Sequence, residues 1–80
     1  MYFVYILRSL KDNKKYIGLT NDLQKRLAEH NNGKCSATKN RRPFELLHYE
    51  TFSVREEAAK REKFFKTGKG REFIKLTLKL

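Results

Sequence analysis

The run Tyr2-Phe3-Val4-Tyr5-Ile6-Leu7, the polar break Lys11-Asp12-Asn13-Lys14 and the return from Lys15 to Thr20 constrain this chain more than any other feature. Aromatic and β-branched residues suit a pleated, half-buried surface, and two such runs flanking a turn segment read as an antiparallel hairpin. With Asp12 and Asn13 as the two turn residues, position 5 pairs with 20, 7 with 18 and 9 with 16. Tyr5, Leu7, Ser9, Tyr16, Gly18 and Thr20 then share one side of the sheet. Two phenols meet there, and Gly18, which lacks a side chain, is expected to leave a shallow recess for a ligand backbone.

Beyond the hairpin, Asn21 offers a helix N-cap, Asp22 suits the first-turn dipole and Gly33 marks a stop, so a short helix is predicted from Asp22 to Asn31. From Asn32 to Pro43 the chain is a polar, basic loop that Pro43 closes to helix continuation. Phe44 to Phe52 reads as a third strand with imperfect alternation. Ser53-Val54-Arg55-Glu56 has the form of a capping box opening a helix that runs to about Lys66. Thr67-Gly68-Lys69-Gly70 reads as a break, and Arg71 to Leu78 as a last helix, although the end Thr77-Leu78-Lys79-Leu80 also suits an extended chain.

Eighty residues suffice for a single domain with one small core, burying roughly 60% of the unfolded surface. The lone Cys35 excludes an internal disulfide, and with only His30 and His48 beside it no four-ligand zinc site is built; Cys35 reads as a bystander in a polar segment. The apolar start is too short for a membrane span and lacks the flanks of a signal peptide, so a soluble, cytoplasmic protein is expected. Lys and Arg number 19 against 9 Asp and Glu, a formal charge of +10. Such a balance attracts phosphates and makes nucleic acid the leading partner class, ahead of an acidic membrane surface.

Helical rotation of about 100° per residue places Leu23 and Leu27 on a buried stripe, with Arg26 and His30 one turn apart along its flank. On the second helix, Val54, Ala58 and Phe65 form the apolar face and Glu62 projects within that stripe, where a carboxylate is costly unless paired or metal-bound. An arginine partner for Glu62 is the structural alternative. Together Arg26, a tyrosine and Glu62 supply what phosphodiester hydrolysis needs: a cation on the phosphate oxygens, a base or water-orienting group, and an anchor for a metal ion. Magnesium keeps several waters and completes its shell with substrate phosphate, so one carboxylate predicts weak metal affinity without DNA.

Phe3-Val4-Tyr5, Tyr16-Ile17-Gly18, the segment through Arg26 and His30 to Asn31, Asn40-Arg41-Arg42-Pro43-Phe44 and the later Arg61-Glu62-Lys63 together resemble the GIY-YIG nuclease superfamily, in its small stand-alone bacterial branch. The resemblance covers nearly the whole chain. It implies an α/β fold in the order ββαβαα, with a central three-stranded antiparallel sheet flanked by helices, and single-metal cleavage of DNA with Mg²⁺ or Mn²⁺ and no organic cofactor. By position, Tyr5 and Tyr16 match the motif tyrosines, with Tyr5 favoured as base and Tyr16 as its positioning partner. A phenol titrates near 10, so a cation such as Arg26 or the metal must assist it. Arg26 matches the arginine that stabilises the pentavalent phosphate, and His30 a site that contacts phosphate or protonates the leaving oxygen. Glu62 matches the metal-binding glutamate and Gly18 the motif glycine. The first motif begins with Phe3 rather than glycine, Leu19 stands where some repair enzymes carry lysine, and no asparagine follows Glu62. These departures point to slow or partner-dependent turnover.

The function expected is a metal-dependent DNA endonuclease acting on branched, nicked or damaged DNA, with DNA repair as its setting. The alternative is a non-catalytic nucleic-acid-binding protein on the same scaffold, with Lys39, Arg41, Arg42, Lys69 and Arg71 as its phosphate-contacting surface. A ribosome-associated basic protein that prefers RNA is a more distant third.

Overall fold

The computed structural model describes residues 1–78. Strands β1 (Tyr2–Ser9) and β2 (Lys15–Thr20) form the hairpin; α1 (Leu23–Asn31), a short 3-10 turn at Lys39–Arg41, β3 (Phe44–Phe52), α2 (Arg55–Phe65) and α3 (Gly68–Leu78) follow. The three strands make an antiparallel sheet in the order β2-β1-β3. Val4 to Leu7 are buried without a break because β1 is the central strand and helices cover both faces. On one face Val4 and Ile6 pack with Ala58, Phe65 and Ile74 of α2 and α3; on the other, Tyr5, Leu7 and Phe44 pack with Leu23 and Leu27 of α1. Among the described residues, no helix is long and apolar enough to cross a membrane.

The hairpin register differs from expectation by two residues: Tyr5 faces Gly18, Leu7 faces Tyr16 and Phe3 faces Thr20. A two-residue turn at Asp12 and Asn13 gives way to a five-residue loop, Leu10 to Lys14, closed by Ser9 N–H to Lys14 C=O and Asn13 N–H to Ser9 C=O, both 2.9 Å. The Ser9 hydroxyl accepts from the Lys11 and Asp12 amides, and Asn13 takes the left-handed conformation at φ 63°, which an asparagine tolerates. An offset of two preserves every facing, so the shared side survives the change of register. The imperfect alternation of β3 is a bulge: Ile6 faces His48 and Leu7 faces Leu46, which leaves Leu47 unpaired and turns it, with His48, toward α2.

Helix ends also depart from expectation. Asp22 rather than Asn21 caps α1, its carboxylate accepting from the Lys25 amide at 3.1 Å. Ser53 forms no capping box; Val54 occupies the cap position without a side-chain bond, and Glu56 and Glu57 in the first turn face the helix dipole instead. Thr67 starts α3 three residues early, its hydroxyl accepting from the Gly70 amide at 3.1 Å, so the glycine segment is a first helical turn and not a break. Gly70 is a site of close approach, since a β-carbon there would lie 1.9 Å from the Phe64 carbonyl oxygen. Thr77 and Leu78 are helical, whereas the alternative of an extended end falls partly on Lys79 and Leu80, outside the described residues.

Candidate active site

Tyr5 projects from the middle of β1 toward α1 and is 2% exposed. Its hydroxyl lies 3.0 Å from His30 Nε2, and Arg26 Nε–H donates to the same oxygen at 3.4 Å. One turn of α1 separates Arg26 from His30, so both side chains reach one strand residue. His30 is fully buried, its Nδ1 2.8 Å from the Thr38 hydroxyl, which in turn donates to the Cys35 carbonyl at 3.4 Å. We assign the direction of the chain from that last bond. Thr38 gives its proton to Cys35, so it accepts from His30 Nδ1–H, and the Nε2 lone pair accepts from the Tyr5 hydroxyl.

Tyr16 completes the aromatic cluster. Its ring meets His30 edge-on with centroids 4.9 Å apart and lies 6.4 Å from Tyr5. Gly18 is the residue opposite Tyr5, and a β-carbon there would stand 2.3 Å from the Tyr5 hydroxyl oxygen. The space left by the missing side chain is therefore filled by Tyr5 itself and is not the open recess the sequence suggested.

Burial pushes the Tyr5 phenol above its ordinary value, the Arg26 hydrogen bond acting in the opposite sense. Burial also lowers His30, helped by the positive charge of Arg26. Arg26 is raised, foremost by its hydrogen bond to Tyr5, and also contacts Glu29 at 3.2 Å and the Cys35 sulfur at 3.7 Å. Near neutral pH the cluster is thus a neutral phenol between a fixed cation and a neutral imidazole that accepts its proton. Arg26 also opens into a depression of about 400 Å³ that Lys25 and Arg55 line.

Glu62 stands apart from this cluster. It belongs to α2, on the Val4 and Ile6 side of the sheet, and its carboxylate accepts from Lys66 at 3.4 Å. Its side chain is 27% exposed and does not lie in the apolar stripe, and Val54, expected in that stripe, is 45% exposed. The residue that does face the packed interior is Arg61, whose guanidinium sits 4.6 to 5.0 Å from the ring centroids of Phe64, Phe65 and Phe73 and pairs with Glu50 at 2.7 Å. The arginine–carboxylate pair expected of a buried acid here joins Arg61 to a strand residue. Tyr16 and Lys66, the partner of Glu62, line one hollow beside β2, but Glu62 itself does not line it and the structure does not bring its carboxylate to Tyr5 or Arg26.

Of the expected phosphate-contacting residues, Lys39, Arg42, Lys69 and Arg71 are exposed. Arg41 is tied to Asp12 at 3.0 Å and stacked over Phe44, and the Arg42 guanidinium packs against Gly33, whose φ of 77° ends α1. Thr38 had no signal in the sequence. It is one hydroxyl in a polar loop, and only the fold places it behind His30.

Among the described residues, no three His, Cys, Asp or Glu side chains converge on a metal position. The expected donor, Glu62, is partly exposed and is an oxygen ligand of the kind magnesium takes when waters and substrate phosphate fill the rest of its shell; Asp22 and Glu29 line the Arg26 depression itself.

The GIY-YIG catalytic domain family matches residues 1–75. The UPF0213 protein lin0209 of Listeria innocua is 47% identical over 66 residues, 81% of this chain and 72% of the relative. The UPF0213 protein SSP2268 of Staphylococcus saprophyticus is 40% identical over 76 residues, covering 94% and 92%. The solution NMR structure of the UPF0213 protein BH0048 from Bacillus halodurans superposes with a TM-score of 0.56 at 35% identity, over 92% of this chain and 82% of that one. The motif tyrosines on paired strands, the arginine helix behind them and these matches agree: the chain belongs to the GIY-YIG family, a nuclease superfamily, and is similar to its small bacterial UPF0213 members.

Proposed function

We propose that residues 1–80 act as one nuclease domain, a divalent-metal-dependent endonuclease that hydrolyses phosphodiester bonds in branched, nicked or damaged DNA. The observation that carries this reading is the oriented chain from Arg26 through Tyr5 and His30 to Thr38. A phenol raised by burial holds no resting negative charge, so Tyr5 serves as base only by passing its own proton on as it receives one. His30 Nε2 is the acceptor at hand. An attacking water gives a proton to the Tyr5 oxygen while the Tyr5 proton moves to His30; the new P–O bond forms, the bond to the leaving oxygen breaks, and that oxygen takes a proton from solvent.

In this reading His30 acts behind Tyr5. With its ring fully buried and both nitrogens engaged, it is not placed to touch a phosphate or to protonate a leaving group. Arg26, reached from its own depression, binds the phosphate oxygens as negative charge develops, and its planar fork explains why lysine would serve less well. Tyr16 holds the His30 ring edge and borders the surface. Glu62 would hold the Mg²⁺ or Mn²⁺, which supplies charge neutralisation at the phosphate when bound. Lys66 must then release the carboxylate.

The test is cleavage of nicked, flapped and four-way DNA by purified protein with Mg²⁺ or Mn²⁺. Cutting that disappears in Arg26→Ala and Glu62→Ala supports the reading. Binding without cutting, indifferent to Glu62→Ala, would replace it with the non-catalytic alternative.

A further inference from the structure

Five cations from three separate elements meet at the free edge of the sheet. Lys14 and Lys15 come from the hairpin, Lys66 from the end of α2, and Arg71 and Lys75 from α3; with Tyr16 in the wall they enclose a hollow of about 790 Å³ over Ile17 and Ile74. Among the described residues, no acidic side chain lines it. Among the described residues, Lys14, Lys15, Arg71 and Lys75 pair with no carboxylate, in contrast to Arg41, which Asp12 holds. Lys66 is offset by Glu62, but the other four mutually repelling groups raise the local potential, and a polyanion relieves it. The wall carries five cationic side chains over Ile17 and Ile74, a charge that suits a chain of phosphates.

The position is as informative as the charge. Tyr16 and Ile17 border this hollow, and Leu19 and Thr20 border the depression that contains Arg26, so the two lie at successive points along β2. At about 3.3 Å per residue, Tyr16 and Thr20 are roughly 13 Å apart along the strand. A phosphate backbone covers that span within a few nucleotides. We propose that the hollow of Lys14, Lys15, Lys66, Arg71 and Lys75 holds the DNA backbone within a few nucleotides of the phosphate bound at Arg26. This assignment rests on the nuclease reading above; it keeps Arg71 of the expected phosphate-contacting residues and adds Lys14, Lys15, Lys66 and Lys75 to it.

Binding of a fluorescent nicked duplex, measured by anisotropy across a salt series in EDTA, tests it. Lys14→Ala with Lys75→Ala should weaken binding about tenfold or more and reduce the slope of log K against log salt by about 1.8, the value for two lost phosphate contacts. Lys60→Ala with Lys63→Ala removes the same charge from exposed positions of α2 outside the hollow and should leave the slope unchanged. Lys14→Arg with Lys75→Arg should retain binding, which separates lost charge from lost folding. Equal losses in the two alanine pairs would overturn the assignment while cleavage of DNA upheld the nuclease reading. RNA bound more tightly than DNA through the same residues would overturn it too, and absence of both binding and cutting would remove the two proposals together.

Discussion

Tyr5 is held at three points: its own strand, the Arg26 donor and the His30 acceptor. Tyr5→Phe leaves His30 Nε2 buried without a partner, so a loss of about 1–3 kcal/mol is expected by chemical denaturation, together with loss of cleavage of about 100-fold or more. Gly18→Ala should act on the same oxygen from the other side, displacing the phenol from His30 and lowering cleavage with no change in charge. His30 adds a pH signature. Its folded value lies below its unfolded value near 6.5, so the folded protein takes up the proton less readily. Stability should be level above about pH 6.5 and decline as pH falls below it; thermal melts across pH should show this decline vanish in His30→Gln. A second acidic loss begins as pH falls through the unfolded carboxylate range near 4, because two carboxylates are lowered in the fold: Asp12, held down by the Lys14 amide, and Glu50, whose bonds to Arg61 and His48 outweigh its burial.

Among the elements, β3 is legible at its stated bounds and the facing of β1 and β2 follows from the alternation of apolar residues, but the turn does not. Five loop residues and a two-residue turn satisfy the same apolar pattern, and the choice depends on Asn13 and on the Ser9 hydroxyl, neither of which pattern alone reveals. Faces of α2 were harder still. Ala58 and Phe65 leave positions 61 and 62 on either side of one stripe, and what decides between them is the presence of Glu50 and three phenyl rings beside Arg61. Likewise the glycines before α3 read alike in sequence and behave differently in space. Gly70→Ala drives a β-carbon into the Phe64 carbonyl and should cost about 1–3 kcal/mol, whereas Gly68→Ala meets nothing within 4 Å and should stabilise by about 0.5–1 kcal/mol, both read from denaturation midpoints.

At the scale of the molecule, a charge of +10 on 80 residues foretells a phosphate-bearing partner but not which cations remain free to meet it. The basic loop was the obvious candidate by composition; folding ties Arg41 inward, leaves Lys39 and Arg42 exposed, and adds a basic group beside β2 from residues as distant in sequence as Lys14 and Lys75. Adding salt should therefore have opposite effects on two measurements, raising the melting temperature by screening self-repulsion while weakening DNA binding. The edge position of β2 has one more consequence. An outer strand offers unpaired amides and carbonyls to any second copy, and the lysines at its start keep such a copy away by repulsion. When DNA is added, precipitation should be greatest where its phosphates just balance those lysines, and the solution should clear again once nucleic acid is in excess.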